Sequence, residues 1–178
     1  MTLVYEKAGK DERNVWLTPF EIVQALGPFD LDPCFLPNGV RPWNTAAKHY
    51  SEIEDGLKQP WKGRVWLNPP YGRETTKWMK RMVEHGDGIA LVFSRTDNRF
   101  FHDYIFPYAQ SLFFTRGRIS FCDRTGKQST GSAAGSVFVH YGKADINTWM
   151  RLIDIGIEGT VIYLRDDSTL CKPKGILP

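Results

Sequence analysis

The chain has 178 residues, 42% of them apolar and 13% aromatic, and carries a net charge of +3. That length favours one domain over 1–178, and the apolar fraction excludes wholesale disorder. The small positive charge permits a nucleic-acid partner without demanding one. The three cysteines, Cys34, Cys122 and Cys171, are scattered without a C-x-x-C, which argues against a disulfide framework or a zinc site.

In chain order, the polar opening MTLVYEKAGKDERNVW does not read as a signal peptide, and residues 1–14 are expected to be loose. Thr18-Pro19-Phe20-Glu21 reads as a helix start, with Thr18 as N-cap, Pro19 at the first helical position and Glu21 completing a capping box. Ile22, Val23, Ala25 and Leu26 give that helix an apolar face, and Gly27-Pro28 stops it. Phe29-Asp30-Leu31-Asp32 alternates as a short strand ended by Pro33, and Cys34 to Asn44 reads as loop. Ala46 to Tyr50 fits a helical turn or a short strand equally well. Arg64 to Leu67 is a strand running into Asn68, and Glu74 to His85 a helix with Trp78, Met79, Met82 and Val83 on one face. Ile89 to Phe93, apolar throughout, reads as a strand buried on both faces in a parallel sheet. Asn98 to Tyr108 is a plausible helix. Ser111–Thr115, Arg118–Cys122, Val137–Tyr141 and Thr160–Leu164 are expected strands, and Ile146 to Ile155 a last helix. Alternating strands and helices followed by clustered strands predict an α/β, three-layer fold with a mostly parallel central sheet. Ligands of open α/β sheets bind beyond the carboxyl ends of the strands, where Asp32, Asp55, Asn68 and Ser94 are expected. No apolar run approaches the roughly 20 residues a membrane span requires. Membrane association is therefore not expected.

One stretch calls for a chemical explanation. Trp66 to Gly72 reads WLNPPYG, so a strand ends at an amide and leaves on two prolines and an aromatic ring. Proline fixes its own φ, lacks an N–H and pushes the preceding residue to extended backbone, which makes the corner stiff.

Asn68-Pro69-Pro70-Tyr71 resembles the (D/N/S)PP(Y/F/W) motif of S-adenosylmethionine-dependent amino-methyltransferases. Phe29-Asp-Leu-Asp-Pro-Cys34, Glu54-Asp-Gly-Leu57, Trp61, Ser94-Arg-Thr-Asp97 with Phe100-Phe101, and Gly117-Arg-Ile-Ser-Phe121 extend the likeness. Together they are similar to the phage-type DNA N6-adenine methyltransferases, a Dam-related family, from about Trp16 to Tyr141. The Cys171-to-Pro178 tail has no counterpart there. The resemblance implies a Rossmann-like methyltransferase fold, S-adenosylmethionine as cofactor without a metal, and DNA as partner; the expected location, from the lack of a signal peptide and of an apolar span, is cytoplasmic, that of the host if the chain is phage-encoded. It further implies transfer of a methyl group to the exocyclic amine of a flipped adenine, because a stacked base is inaccessible. Methylation of cytosine N4, RNA or protein glutamine, and a non-catalytic DNA-binding module of the same fold, remain open alternatives. The oligomeric state is left open.

Adenine N6 is a poor nucleophile because its lone pair is delocalised into the ring. Acceptors aimed at its N–H bonds hold the amine toward sp³ geometry and stabilise developing positive charge. Asn68 and the Pro69 carbonyl are the expected acceptors, Pro70 the stiffener and Tyr71 the stacking ring. For the cofactor, Asp32-Pro33 resembles the opening of the family's glycine-rich motif, but the usual Gly-x-Gly is missing. Asp30 is an alternative to Asp32 or a salt-bridge partner. Asp55 matches an acidic position expected to accept from adenosine, and Trp16, Thr18 and Pro19 resemble a segment contacting the methionine end. Arg73, Lys77, Arg95, Arg116, Arg118, Arg124 and Lys127 are the candidate DNA contacts, and 116–135 is the candidate DNA-reading loop. His49, His85, His102 and His140 form no metal-ligand pattern, and Ser94 lacks a nucleophile-elbow context.

Overall fold

The computed structural model describes residues 16–35 and 42–165, apart from 124, 130, 131, 133, 144 and 146. Residues 1–14, Arg124, Ile146 and Cys171, which figure in the expectations above, lie outside the described residues. One seven-stranded sheet organises the rest, formed by β1 (Leu31–Asp32), β2 (Lys48–His49), β3 (Val65–Leu67), β4 (Gly88–Phe93), β5 (Ser111–Thr115), β6 (Ser136–Tyr141) and β7 (Gly159–Tyr163). Their order is β2-β1-β3-β4-β6-β5-β7.

The first four strands in that order pair in parallel. The next three ladders are antiparallel and longer: β4 with β6 runs from Gly88↔Tyr141 to Phe93↔Ser136, and β5 pairs with both β6 and β7. The expected mostly parallel sheet is therefore corrected to a mixed one. Its cause is β6, which returns between β4 and β5 instead of adding at the edge.

Both faces of the sheet are covered, as the period-2 alternation requires. Ile89 and Leu91 of β4 join Phe113, Phe138 and Trp66 under α1 (Phe20–Leu26) and α3 (Met150–Asp154). Ala90 and Val92 join Val137, Val139 and Tyr141 under α2 (Thr75–His85) and a single π-helical turn, Phe101–Ile105. Trp78, Met79 and Met82 are the buried stripe of α2, and burying such side chains is worth about 1.5–3 kcal/mol each.

Four local expectations are corrected. Pro19 is extended (φ −49°, ψ 138°) and is itself the N-cap of α1. Its carbonyl accepts from Ile22 and Val23, and no side chain caps the helix. Asn98–Tyr108 is helical from Arg99 but shorter than expected, and its last turn, Phe101–Ile105, is π-helical, closed by Phe106 N–H to Phe101 O at 2.8 Å just before Pro107 removes the next donor. Arg118–Cys122 buries Ile119 and Phe121 but forms no ladder; its described pairings are isolated antiparallel bridges of Cys122 with Leu17 and with Gln128. The last helix is short, Met150–Asp154, because Asp145 first gathers Asn147 N–H and the Thr148 hydroxyl into a turn. Ala46–Tyr50, ambiguous in sequence, contains β2.

Candidate active site

β3 delivers Asn68 to the carboxyl end of the parallel strands, beside the ends of β1 and β4. The Asn68 side-chain amide is fixed from both sides. Its Nδ2 donates to the Trp16 carbonyl at 3.0 Å, and its Oδ1 accepts the Tyr71 hydroxyl at 3.2 Å. The Tyr71 ring stacks on Phe93, the last residue of β4, with centroids 4.0 Å apart and planes 15° from parallel. Burial drives the Tyr71 pKa upward, so the hydroxyl stays protonated and donates.

The corner carries three successive main-chain carbonyls. Asn68 O accepts the Cys34 thiol at 3.1 Å. Pro70 O accepts the Thr75 hydroxyl at 2.8 Å. Among the described residues no donor reaches the Pro69 carbonyl. The Cys34 thiol is held protonated, its pKa raised by burial first and by the neighbouring Asp32 charge second.

Cys34 belongs to the turn that leaves β1, and that turn is tightly tied. Asp32 is buried; it accepts the Thr45 hydroxyl at 2.5 Å and Cys34 N–H at 3.2 Å. Thr45 and Ala46 in turn donate their N–H groups to His49 Nε2, both at 3.2 Å. Gly56 lies against Pro33 so closely that a Cβ would fall 1.8 Å from the Pro33 carbonyl oxygen. Asp55, next to it, has φ +53° and an ion pair with Lys58 at 2.8 Å. The Lys58 hydrogen bond holds its carboxyl below the usual range.

The fold thus brings Trp16, Asp32, Pro33, Asp55, Asn68, Pro69, Pro70 and Tyr71 into one neighbourhood. Asp30 is not part of it. Its carboxylate accepts Arg64 N–H at 2.7 Å at the opposite end of β1. The Thr18 hydroxyl and the Trp43 indole N–H are buried with no hydrogen-bond partner among the described residues. Trp43 packs against the small cluster of Leu17, Phe35 and Cys122.

The candidate basic residues are dispersed. Arg95 lies over the Phe93 ring at 5.8 Å and is exposed. Arg73 is exposed before α2, and Lys77 is paired with Glu74 at 2.9 Å. Arg116 is paired with Glu158 at 3.0 Å, Arg118 donates to the Ser132 carbonyl, and Lys127 stands in a turn closed on Asp123. Cys34, Thr75, Gly56 and Phe93 were not singled out from the sequence. Cys34 and Gly56 adjoin the acidic residues that were, while Phe93 and Thr75 carry no distinguishing local signal. Among the described residues no group of three or more His, Cys, Asp or Glu could hold a metal ion, and no helix is long and apolar enough to cross a membrane.

Residues 6–150 match the family described as DNA N-6-adenine-methyltransferase (Dam). A protein of Escherichia phage T1 with the name DNA N-6-adenine-methyltransferase is 32% identical over 88 residues, which cover 45% of this chain and 35% of that protein. No solved structure matches. The family match spans most of the chain, which therefore belongs to the DNA N-6-adenine-methyltransferase (Dam) family.

Proposed function

We propose that this member of the family moves a methyl group from S-adenosylmethionine to N6 of an adenine turned out of DNA, with the Asn68–Tyr71 corner as its acceptor site. The observation that carries the reading is the selection among the corner's carbonyls. Asn68 O and Pro70 O each already accept one bond from within the protein, and among the described residues Pro69 O accepts none, so it is the most open of the three to an incoming N–H group. Asn68 Oδ1 accepts one bond from Tyr71 and retains a second lone pair. Two acceptors on a rigid turn suit the two N–H bonds of one exocyclic amine.

The residues at the β1 turn fit the cofactor. The buried Asp32 carboxylate, the buried Thr18 hydroxyl and Trp43 indole N–H with no partner among the described residues, and the tight Gly56–Pro33 contact that fixes the Asp55 turn support that assignment. Trp16, Thr18, Pro19, Asp32, Pro33 and Asp55 would hold it, whereas Asp30 is occupied elsewhere. When bound, S-adenosylmethionine supplies an electrophilic methyl group on a positively charged sulfur.

The chain's own part is positioning and charge stabilisation. Asn68 Oδ1 and Pro69 O draw the amine hydrogens and favour the positive charge that grows on nitrogen. Tyr71, backed by Phe93 on one face, offers the base its other face. No strong general base is needed, since the alkylated amine is acidic enough to lose its proton to water. Phosphate contacts come from Arg73, Lys77, Arg95, Arg116, Arg118, Arg124 and Lys127, of which Arg95 stands over the Phe93 ring of the aromatic stack.

The test is label transfer from S-adenosylmethionine to unmethylated duplex DNA with the product nucleosides resolved by mass spectrometry. N6-methyladenine is the expected product. N4-methylcytosine would correct the base and leave the acceptor corner in place. Cofactor binding without transfer to DNA would move the substrate to RNA or protein glutamine, and no cofactor binding would reduce the chain to a non-catalytic module.

A further inference from the structure

We infer that Cys34 and Thr75 are positioning residues for methyl transfer, which act by capping the two corner carbonyls that must not face the substrate amine. The inference rests on the reading of the corner given above.

Two consecutive prolines leave three carbonyls with no N–H from either proline nearby. Any of them can bond an incoming amine, and only one geometry is in line with the methyl group. A corner with three open acceptors would hold the amine in several orientations, and misplacement by about 1 Å can cost on the order of 10²-fold in rate. Here two donors come from separate elements, each occupying one lone pair of its carbonyl, so that Pro69 O alone of the three keeps both lone pairs open among the described residues. The Cys34 thiol reaches Asn68 O from the turn after β1, at 3.1 Å. The Thr75 hydroxyl reaches Pro70 O from the first residue of α2, at 2.8 Å, and is buried there. Neither is an obligatory partner for its own sake, since a cysteine is commonly an apolar filler and a first-turn threonine can face solvent.

Cys34 has a second consequence. Its N–H is held by the Asp32 carboxylate while its thiol is held by Asn68 O. One residue therefore joins the turn assigned to the cofactor to the corner assigned to the base, and the two move together. A burial-raised pKa keeps the thiol in its donating form through the neutral range.

The experiment compares wild type with Cys34→Ala, Cys34→Ser, Thr75→Val and Thr75→Ser, under saturating DNA and S-adenosylmethionine. Carbonyl carbon shifts of Asn68 and Pro70 are recorded by NMR on the same samples. Cys34→Ala and Thr75→Val are expected to lower kcat by roughly tenfold, about the loss of one hydrogen bond's free energy, with KM for DNA little changed. The two serine variants, which keep a donor, are expected to restore most of the rate. Each donor-deleting variant should shift the carbonyl resonance of its own partner. An active wild type with kcat unchanged in both donor-deleting variants would overturn the inference alone. So would carbonyl resonances that do not move, or a KM rise without a kcat loss. A folded wild type that transfers no methyl group overturns the underlying reading and this inference with it.

Discussion

The two halves of the sheet are held together by different means. In the half formed by β6, β5 and β7, antiparallel ladders of four to six residue pairs carry the structure. Phe113, Phe138 and Trp149 pack against one another beneath them. In the half formed by β2, β1 and β3, the ladders are one or two pairs long. There the chain is fixed by side chains bonded to neighbouring turns: Asp32 with Thr45, His49 with Thr45 and Ala46, Asp30 with Arg64, and Cys34 with Asn68. The long ladders make a scaffold. The short ones leave polar groups at the carboxyl ends free to build a site, and the turns rather than the strands set its geometry.

That contrast breaks first in the scaffold. Phe138→Ala, at a fully buried position, should destabilise the fold by about 3–5 kcal/mol in chemical denaturation. The specific activity of the remaining folded fraction should be unchanged. A loss of turnover exceeding the loss of folded protein would mean that the two halves are not separable.

A second prediction concerns pH. His140, buried on β6, has its pKa lowered to about 4 from 6.5, by burial first and by the Arg64 charge second. The unfolded chain then binds a proton that the folded chain refuses. Stability is complete above about pH 6.5 and falls as the pH drops toward 4, by on the order of 3 kcal/mol in total. His140→Gln should flatten that slope, and an unaltered slope would assign it to other groups.

In the site half, Gly56→Ala forces the Asp55 turn away from Pro33 and should cost about 1–3 kcal/mol. Its sharper signature is weakened binding of S-adenosylmethionine, measured by calorimetry, at a temperature where the variant is fully folded. Unchanged affinity would detach the Asp55–Gly56 turn from the cofactor.

The smallest effect belongs to Arg116. Its pair with Glu158 is exposed on both sides, so Arg116→Ala should change stability by less than about 1 kcal/mol. If Arg116 also meets a phosphate, the slope of log affinity for DNA against log salt should fall by about one. An identical slope would leave Arg116 as a surface ion pair.

The same contrast decides what could be read from the chain. β4 was legible because GIALVF is apolar throughout, and the corner because Asn68-Pro69-Pro70-Tyr71 combines rigid backbone with a functional amide. The insertion of β6 between β4 and β5 was not, because a strand's residues do not name its partners. Arg118–Cys122 shows the same limit, with buried Ile119 and Phe121 in a strand-like alternation but no ladder to join. Thr18 looked like a helix cap on local rules, yet the extended Pro19 took that role. Cys34, Thr75 and Phe93 owe their places to contacts across 34, 5 and 22 residues, and of these only the Thr75 bond is local enough for a sequence window to hold.

The most direct test of the acceptor corner is the single-turnover rate of methyl transfer to unmethylated duplex DNA by wild type and Asn68→Ala side by side, with thermal unfolding of both. The account predicts N6-methyladenine from the wild type, a rate lower by about 10²-fold or more in the variant, and closely similar unfolding midpoints. Equal rates from the two proteins would contradict it, because the amide held between Trp16 and Tyr71 would then have no part in the chemistry.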